Sequence, residues 1–141
     1  MLQKSTHYFQ VMIIKRLLAP SQKSFWIALF WTLLIFYLSF KSPSAISKID
    51  FFLADKLVHF SFYFGFVFLW YHYFYYKNKT KLIDKIVLVV LAIAMGIIIE
   101  FMQGHFTTTR QADVFDALAN SLGAFFGILT AGMLLKKIDT E

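Results

Sequence analysis

Four long apolar runs, separated by short polar linkers, leave this chain few folds to adopt. The runs are Ser24–Phe40, Leu57–Tyr76, Ile86 to about Phe106, and Val114–Leu135. A helix needs about 20 predominantly apolar residues to cross a hydrocarbon core of about 30 Å. The first run is short, but Lys23 and Lys41 at its ends can snorkel to the interfaces. Of the 141 residues, 59% are hydrophobic and only 16% are charged. Soluble domains average about 45–50% apolar and about 25% charged. Lipid is therefore the solvent these runs suit. The expectation is an all-α, polytopic membrane protein, a four-transmembrane-helix bundle with short loops. Linkers this short make neighbouring helices antiparallel.

The organisation follows. Residues 1–23 form an N-terminal cytoplasmic or interfacial segment, 24–135 the transmembrane domain, and 136–141 a cytoplasmic tail. In the first segment, HYFQVMIIKRLLAP mixes apolar residues with Lys15 and Arg16 before Pro20. That pattern suits an interfacial helix lying on the membrane, with a disordered tail as the alternative. A cleaved signal peptide fits poorly, because the apolar run begins late. Lysine and arginine orient the bundle. With both termini in the cytoplasm, ten basic residues lie inside and four outside, so the bias favours N-in, C-in. Trp70, Tyr71, Tyr73, Tyr75 and Tyr76 then make an inner interfacial belt.

The net charge of +6 raises the question of nucleic acid. The basic residues form no stripe and instead flank the apolar runs, which argues against it. The absence of cysteine excludes disulfides and thiolate metal sites.

The polar residues within the runs carry the functional argument. Asp55, His59 and Tyr63, at i, i+4 and i+8, share one helix face, with Lys56 beside them. Glu100 and Gln103 form an i, i+3 pair where the third run closes. Asp113, Asp116 and Asn120 share a face where the fourth opens, and Arg110 stands in the loop between. Antiparallel packing brings these groups to one end, extracytoplasmic by the charge rule. Glu100 follows fourteen uncharged residues, Ile86–Ile99. At 1.5 Å per residue it stands about 20 Å beyond the start of that run. Asn120 lies about 10 Å into the fourth helix. Ionisable groups at such depth cost about 2.5–3.5 kcal/mol unless paired or wetted, so they face the bundle interior. Ala119, Gly123 and Gly127 form a small-xxx-small ridge, able to serve within the bundle or, through Gly123 and Gly127, between copies in a homo-oligomer.

DKLVHFSFYFGF, then IIIEFMQ, then TTTRQADVFDALANSLGAFFG, together resemble the VanZ-like family of bacterial membrane proteins. The matching positions are Asp55, Lys56, His59, Tyr63, Glu100, Gln103, Arg110, Asp116, Asn120, Gly123 and Gly127. Thr107–Thr109 stand where the family often has Pro and Gly. The resemblance implies a bacterial cytoplasmic membrane protein of the cell envelope, in a family whose namesake is associated with teicoplanin resistance. It implies no established reaction.

Three roles fit the cluster. It is a structural network fixing helix registry. Or it binds a polar or anionic group of a membrane lipid or lipid-linked envelope precursor, with Arg110 and Lys56 holding the anion and Asn120 and Gln103 a sugar or amide. Or it is an enzyme site, with His59 or Glu100 as general base and Asp116 a further candidate. Binding is preferred, because no nucleophile stands with a matched base. No cofactor or metal is expected. His59, Glu100, Asp116 and His105 offer ligand atoms, but from separate helices and without an HExxH motif. Uninterrupted short helices offer little for alternating access by a transporter.

Overall fold

The computed structural model describes residues 22–41, 52–77, 81–106 and 113–140. They form four helices: α1 (Gln22–Phe40), α2 (Phe52–Tyr76), α3 (Leu82–Phe106) and α4 (Val114–Thr140). Residues 1–21, which include the stretch expected to be an interfacial helix, and Arg110 lie outside the described residues.

Each helix covers its apolar run and extends beyond it. α2 begins at Phe52, five residues before the apolar run, so Asp55 and Lys56 are helical. α3 begins at Leu82, where the Asp84 carboxylate accepts from the Lys81 N–H at 3.2 Å. That is one half of a capping box. α4 begins after Asp113, whose Oδ1 accepts from the Phe115 N–H at 2.8 Å, the geometry of an N-cap. Its helix runs on to Thr140, through most of the stretch expected to be a tail.

α1, α3 and α4 are long and apolar enough to cross a membrane. α2 differs. Its 25 residues reach about 37 Å, enough to span, but Asp55, Lys56, two histidines and several tyrosines dilute its apolarity.

The bundle is apolar outside and polar inside. Trp26, Phe30 and Leu33 of α1, Leu91, Ile98 and Phe101 of α3, and Leu118, Leu122 and Phe125 of α4 are all exposed. His59, Glu100, Gln103, Asp116 and Asn120 are all buried. A soluble protein reverses that distribution. Three hydroxyls within the helices bond to their own backbone one turn back: Thr32 to Ala28 O, Ser61 to Leu57 O and Ser121 to Ala117 O, at 2.7–2.8 Å.

Connections alternate up and down. At one end Gln103 Nε2 of α3 donates to Ser39 O of α1 at 2.6 Å. At the other, Phe25 of α1 stacks edge-on with Trp70 of α2 at 5.8 Å. There too Tyr75 OH donates to Leu135 O of α4 at 3.5 Å. The antiparallel expectation holds for each consecutive pair.

The small-residue ridge decides how closely α4 approaches α2. A Cβ on Gly123 would collide with the carbonyl oxygen of Phe60, and one on Gly127 would lie 2.7 Å from that of Phe64. Real Cβ atoms do not come so near. The ridge that could have served a homo-oligomer through Gly123 and Gly127 is thus filled within the chain by the α2 backbone. The reason is steric: only glycine lets two helix backbones meet at this distance. Gly65 does similar work on another side of α2, where the Trp31 indole covers it and donates from Nε1 to Phe62 O at 3.0 Å.

Candidate functional site

The close approach of α2 and α4 sets two polar faces against each other, and the end of α3 closes the third side. Lys56 lies at the centre of the outer layer. Its ammonium donates to Asp113 Oδ2 at 2.5 Å, to Asp116 Oδ1, and to Asp55 Oδ2 at 3.5 Å. Asp113 is the N-cap of α4, Asp116 sits in its first turn, and Asp55 precedes Lys56 on α2. One cation therefore binds the starts of two helices together. The Lys56 ammonium, with the Phe115 N–H, holds the Asp113 carboxyl below the usual carboxylate range.

His59 forms the inner layer, one turn deeper. Its Nδ1 lies 3.2 Å from Asn120 Oδ1 and 3.5 Å from Glu100 Oε1. Its Nε2 lies 3.7 Å from Asp116 Oδ2 and 4.0 Å from Asp55 Oδ1. Glu100 is buried, and its Oε2 accepts weakly from the Asp113 N–H at 3.5 Å. Below His59, Asn120 and Tyr63 crowd Gly96. A Cβ there would come within 3.2 Å of Asn120 and 3.3 Å of the Tyr63 ring. Asn120 Nδ2 and the Tyr63 hydroxyl are buried and have no hydrogen-bond partner among the described residues.

The sequence placed eight of these residues together, and the structure joins them: Asp55, Lys56, His59, Tyr63, Glu100, Gln103, Asp116 and Asn120. Gln103 stands slightly apart, tying α3 to Ser39 O near the end of α1. There it satisfies a carbonyl that a helix end leaves without an intrahelical partner. Arg110 lies outside the described residues. His105 is exposed at the end of α3, stacked on Phe101 at 5.8 Å, and is not a member. His72 is buried at the opposite end beside Tyr76.

One assignment changes. Lys56 was expected to hold an anionic group, yet it is surrounded by Asp55, Asp113 and Asp116. The physical reason is that an ammonium this enclosed is stable only beside carboxylates that neutralise it. Asp113 was visible on the α4 face but was not singled out as a site residue. The signal was there: four carboxylates in the cluster against one lysine.

The cluster is graded in depth. The Asp55 side chain is 45% exposed and that of Asp113 34%, while Asn120 is 1% exposed. It thus opens toward the end of the bundle and closes toward its middle. Apolar side chains facing outward around a polar interior define a multi-pass membrane protein. The chain belongs to the VanZ/LLP1 family, whose profile matches residues 5–135. No curated protein and no solved structure matches it.

Proposed function

We propose that this VanZ/LLP1 family member binds, at the α2–α3–α4 end, a polar group carried by a membrane lipid or a lipid-linked precursor of the bacterial cell envelope. The observation that carries this is a pair of buried donors beneath His59, Asn120 Nδ2 and Tyr63 OH, that have no partner among the described residues. A buried polar group left without a partner costs about 1–3 kcal/mol. Such groups are retained where a ligand or water completes them. A sugar hydroxyl or an amide carbonyl could reach them from the open side at Asp55 and Asp113. The acidic excess favours a neutral polar group over an anion on the described side. Any anion would have to be held by Arg110. With N-in, C-in orientation, supported by the lysine and arginine distribution, the site opens to the outer leaflet of the cytoplasmic membrane. That is where a role in glycopeptide (teicoplanin) resistance would act.

Lipid mass spectrometry of the protein extracted with its native lipids tests this. Wild type should retain one lipid class that Asn120→Ala loses at equal folded yield, and identical lipids in both would refute it. An anionic lipid retained equally by Arg110→Ala would rule out the arginine anchor. A reporter fused at Glu141 that proves extracytoplasmic would overturn the orientation.

A second possibility is an enzyme acting on such a lipid, with His59 or Glu100 as general base. It is supported by their 3.5 Å contact in a buried setting. Product formed from a lipid-linked precursor, and lost in both His59→Gln and Glu100→Gln, would favour it.

A further inference from the structure

The Nε2 side of His59 presents a different chemistry from its Nδ1 side. On the Nδ1 side Asn120 Oδ1, at 3.2 Å, can accept the ring proton, and Glu100 Oε1 lies 3.5 Å away. That leaves a lone pair on Nε2. It faces Asp116 Oδ2 at 3.7 Å and Asp55 Oδ1 at 4.0 Å. Both contacts are longer than a hydrogen bond, although His59 is only 6% exposed. The other oxygen of each carboxylate is taken: Asp116 Oδ1 and Asp55 Oδ2 both accept from Lys56. Lys56 thus turns two carboxylates so that their remaining oxygens converge on Nε2. Three acceptors aimed at one another favour a cation between them.

The geometry points to a divalent transition-metal site formed by His59 Nε2, Asp55 Oδ1 and Asp116 Oδ2. The candidate ligand atoms of these three residues lie within 4.8 Å of one another. Metal–ligand bonds of about 2.0–2.2 Å put ligand atoms of one ion roughly 3–4.4 Å apart, so small side-chain rotations complete the set. One imidazole and two carboxylates suit zinc or a neighbouring divalent ion. Magnesium and calcium prefer oxygen ligands alone. The surroundings are those of a supported site: Asn120 and Glu100 fix the ring tautomer, and Lys56 orients the carboxylates. Charge agrees. Among the described residues, four carboxylates stand formally against one lysine, an excess of three negative charges. A divalent ion reduces that to one. Asp55, on the open side, gives the ion an entry path. The ligands come from separate helices, and the glycine ridge is what brings α2 and α4 close enough for them to meet.

This inference goes beyond lipid binding and does not require it. The full chain, purified in detergent and stripped with EDTA, is titrated with Zn²⁺ by calorimetry and with Co²⁺ by visible absorption. The expected result is one ion per chain, with affinity reduced at least tenfold in Asp55→Asn and in His59→Gln, and unchanged in Asp84→Asn at the opposite end. Asp55 is partly exposed, so its variant tests the site even if His59→Gln does not fold. Binding of less than a tenth of an equivalent would overturn the inference, and so would equal affinity in Asp55→Asn. Lipid retention in the same stripped samples separates the two proposals: lipid kept without any ion binding defeats only the metal site, and ion binding without retained lipid defeats only the lipid proposal.

Discussion

The two ends of α2 solve the same problem in opposite ways. Both must bury polar atoms inside a bundle whose outside is apolar. At the Asp55 end the polar atoms are charged, concentrated and contributed by three helices. At the Tyr76 end they are dispersed and aromatic. Trp70 Nε1 donates to Thr32 Oγ1 at 3.0 Å, Thr32 in turn to Ala28 O, and Tyr75 to Leu135 O. Lys77 and Lys85 lie over Tyr73 and Tyr71, at 5.9 and 5.5 Å. The aromatic end makes its contacts with rings, His72 edge-on to Tyr76 among them, and with single hydrogen bonds. The charged end brings like charges together, around one lysine, and leaves two buried donors, Asn120 Nδ2 and Tyr63 OH, without partners among the described residues. An arrangement needed only to hold helices would look like the aromatic end. That contrast supports the proposal that one end binds while the other anchors.

The largest expected effect comes from removing what holds the charged end together. Gly123→Leu should abolish the close α2–α4 contact, since even a Cβ collides with Phe60. Overpacking of this kind costs about 1–3 kcal/mol or more, so a sharp fall in folded yield is expected in detergent extracts. Gly132→Ala, whose Cβ would meet nothing nearer than Lys85 Nζ at 3.9 Å, should leave yield unchanged. If both variants fold equally well, the ridge does not set the spacing.

Next is Lys56→Met, which strands Asp113 and Asp116. Breaking an enclosed ion pair from one side costs about 3–5 kcal/mol, and the lower part of that range is expected because Asp113 is partly exposed. Adding Asp116→Asn should restore part of the loss. Thermal melting of the single and double variants checks this, and strict additivity would show that the charges do not interact. At the aromatic end, Trp70→Phe removes one hydrogen bond and should cost only about 1 kcal/mol, read from the same melting curves. A cost equal to that of Lys56→Met would erase the distinction between the ends.

The smallest effect is in acid. The Asp113 carboxyl is held below its usual value by Lys56 and the Phe115 N–H. A group with a depressed folded pKa stabilises fully above its unfolded value, about 3.9 for aspartate, and loses that contribution as pH falls through the folded value. Asparagine keeps the cap but not the charge. Wild type should therefore exceed Asp113→Asn in stability at neutral pH, and the difference should shrink as pH drops below about 4. A difference constant with pH would mean that Asp113 acts as a cap alone.

Much of the protein was legible in the sequence, because lipid makes strict demands. Apolar runs of spanning length become helices, and polar residues on them must turn inward. The i, i+4, i+8 spacing of Asp55, His59 and Tyr63 therefore located the buried face, and the short linkers located its counterparts on α3 and α4. Ser39 could not be found that way, since it contributes a backbone carbonyl that carries no side-chain signal. The partners of Lys56 were hidden for a related reason: charge in a sequence says what a residue can attract, not which partner arrives first.

By itself, then, the sequence determined the helices, their inward faces and the membership of the polar end, all consequences of local periodicity and hydropathy. The tertiary structure alone decided the pairings. Lys56 meets Asp113 and Asp116, 57 and 60 residues away, because Gly123 and Gly127 let α4 lie directly on the backbone of α2. That approach also turns two carboxylates toward His59. Contacts of this kind depend on the distance between helix axes, and that distance is set by what two surfaces allow when they meet.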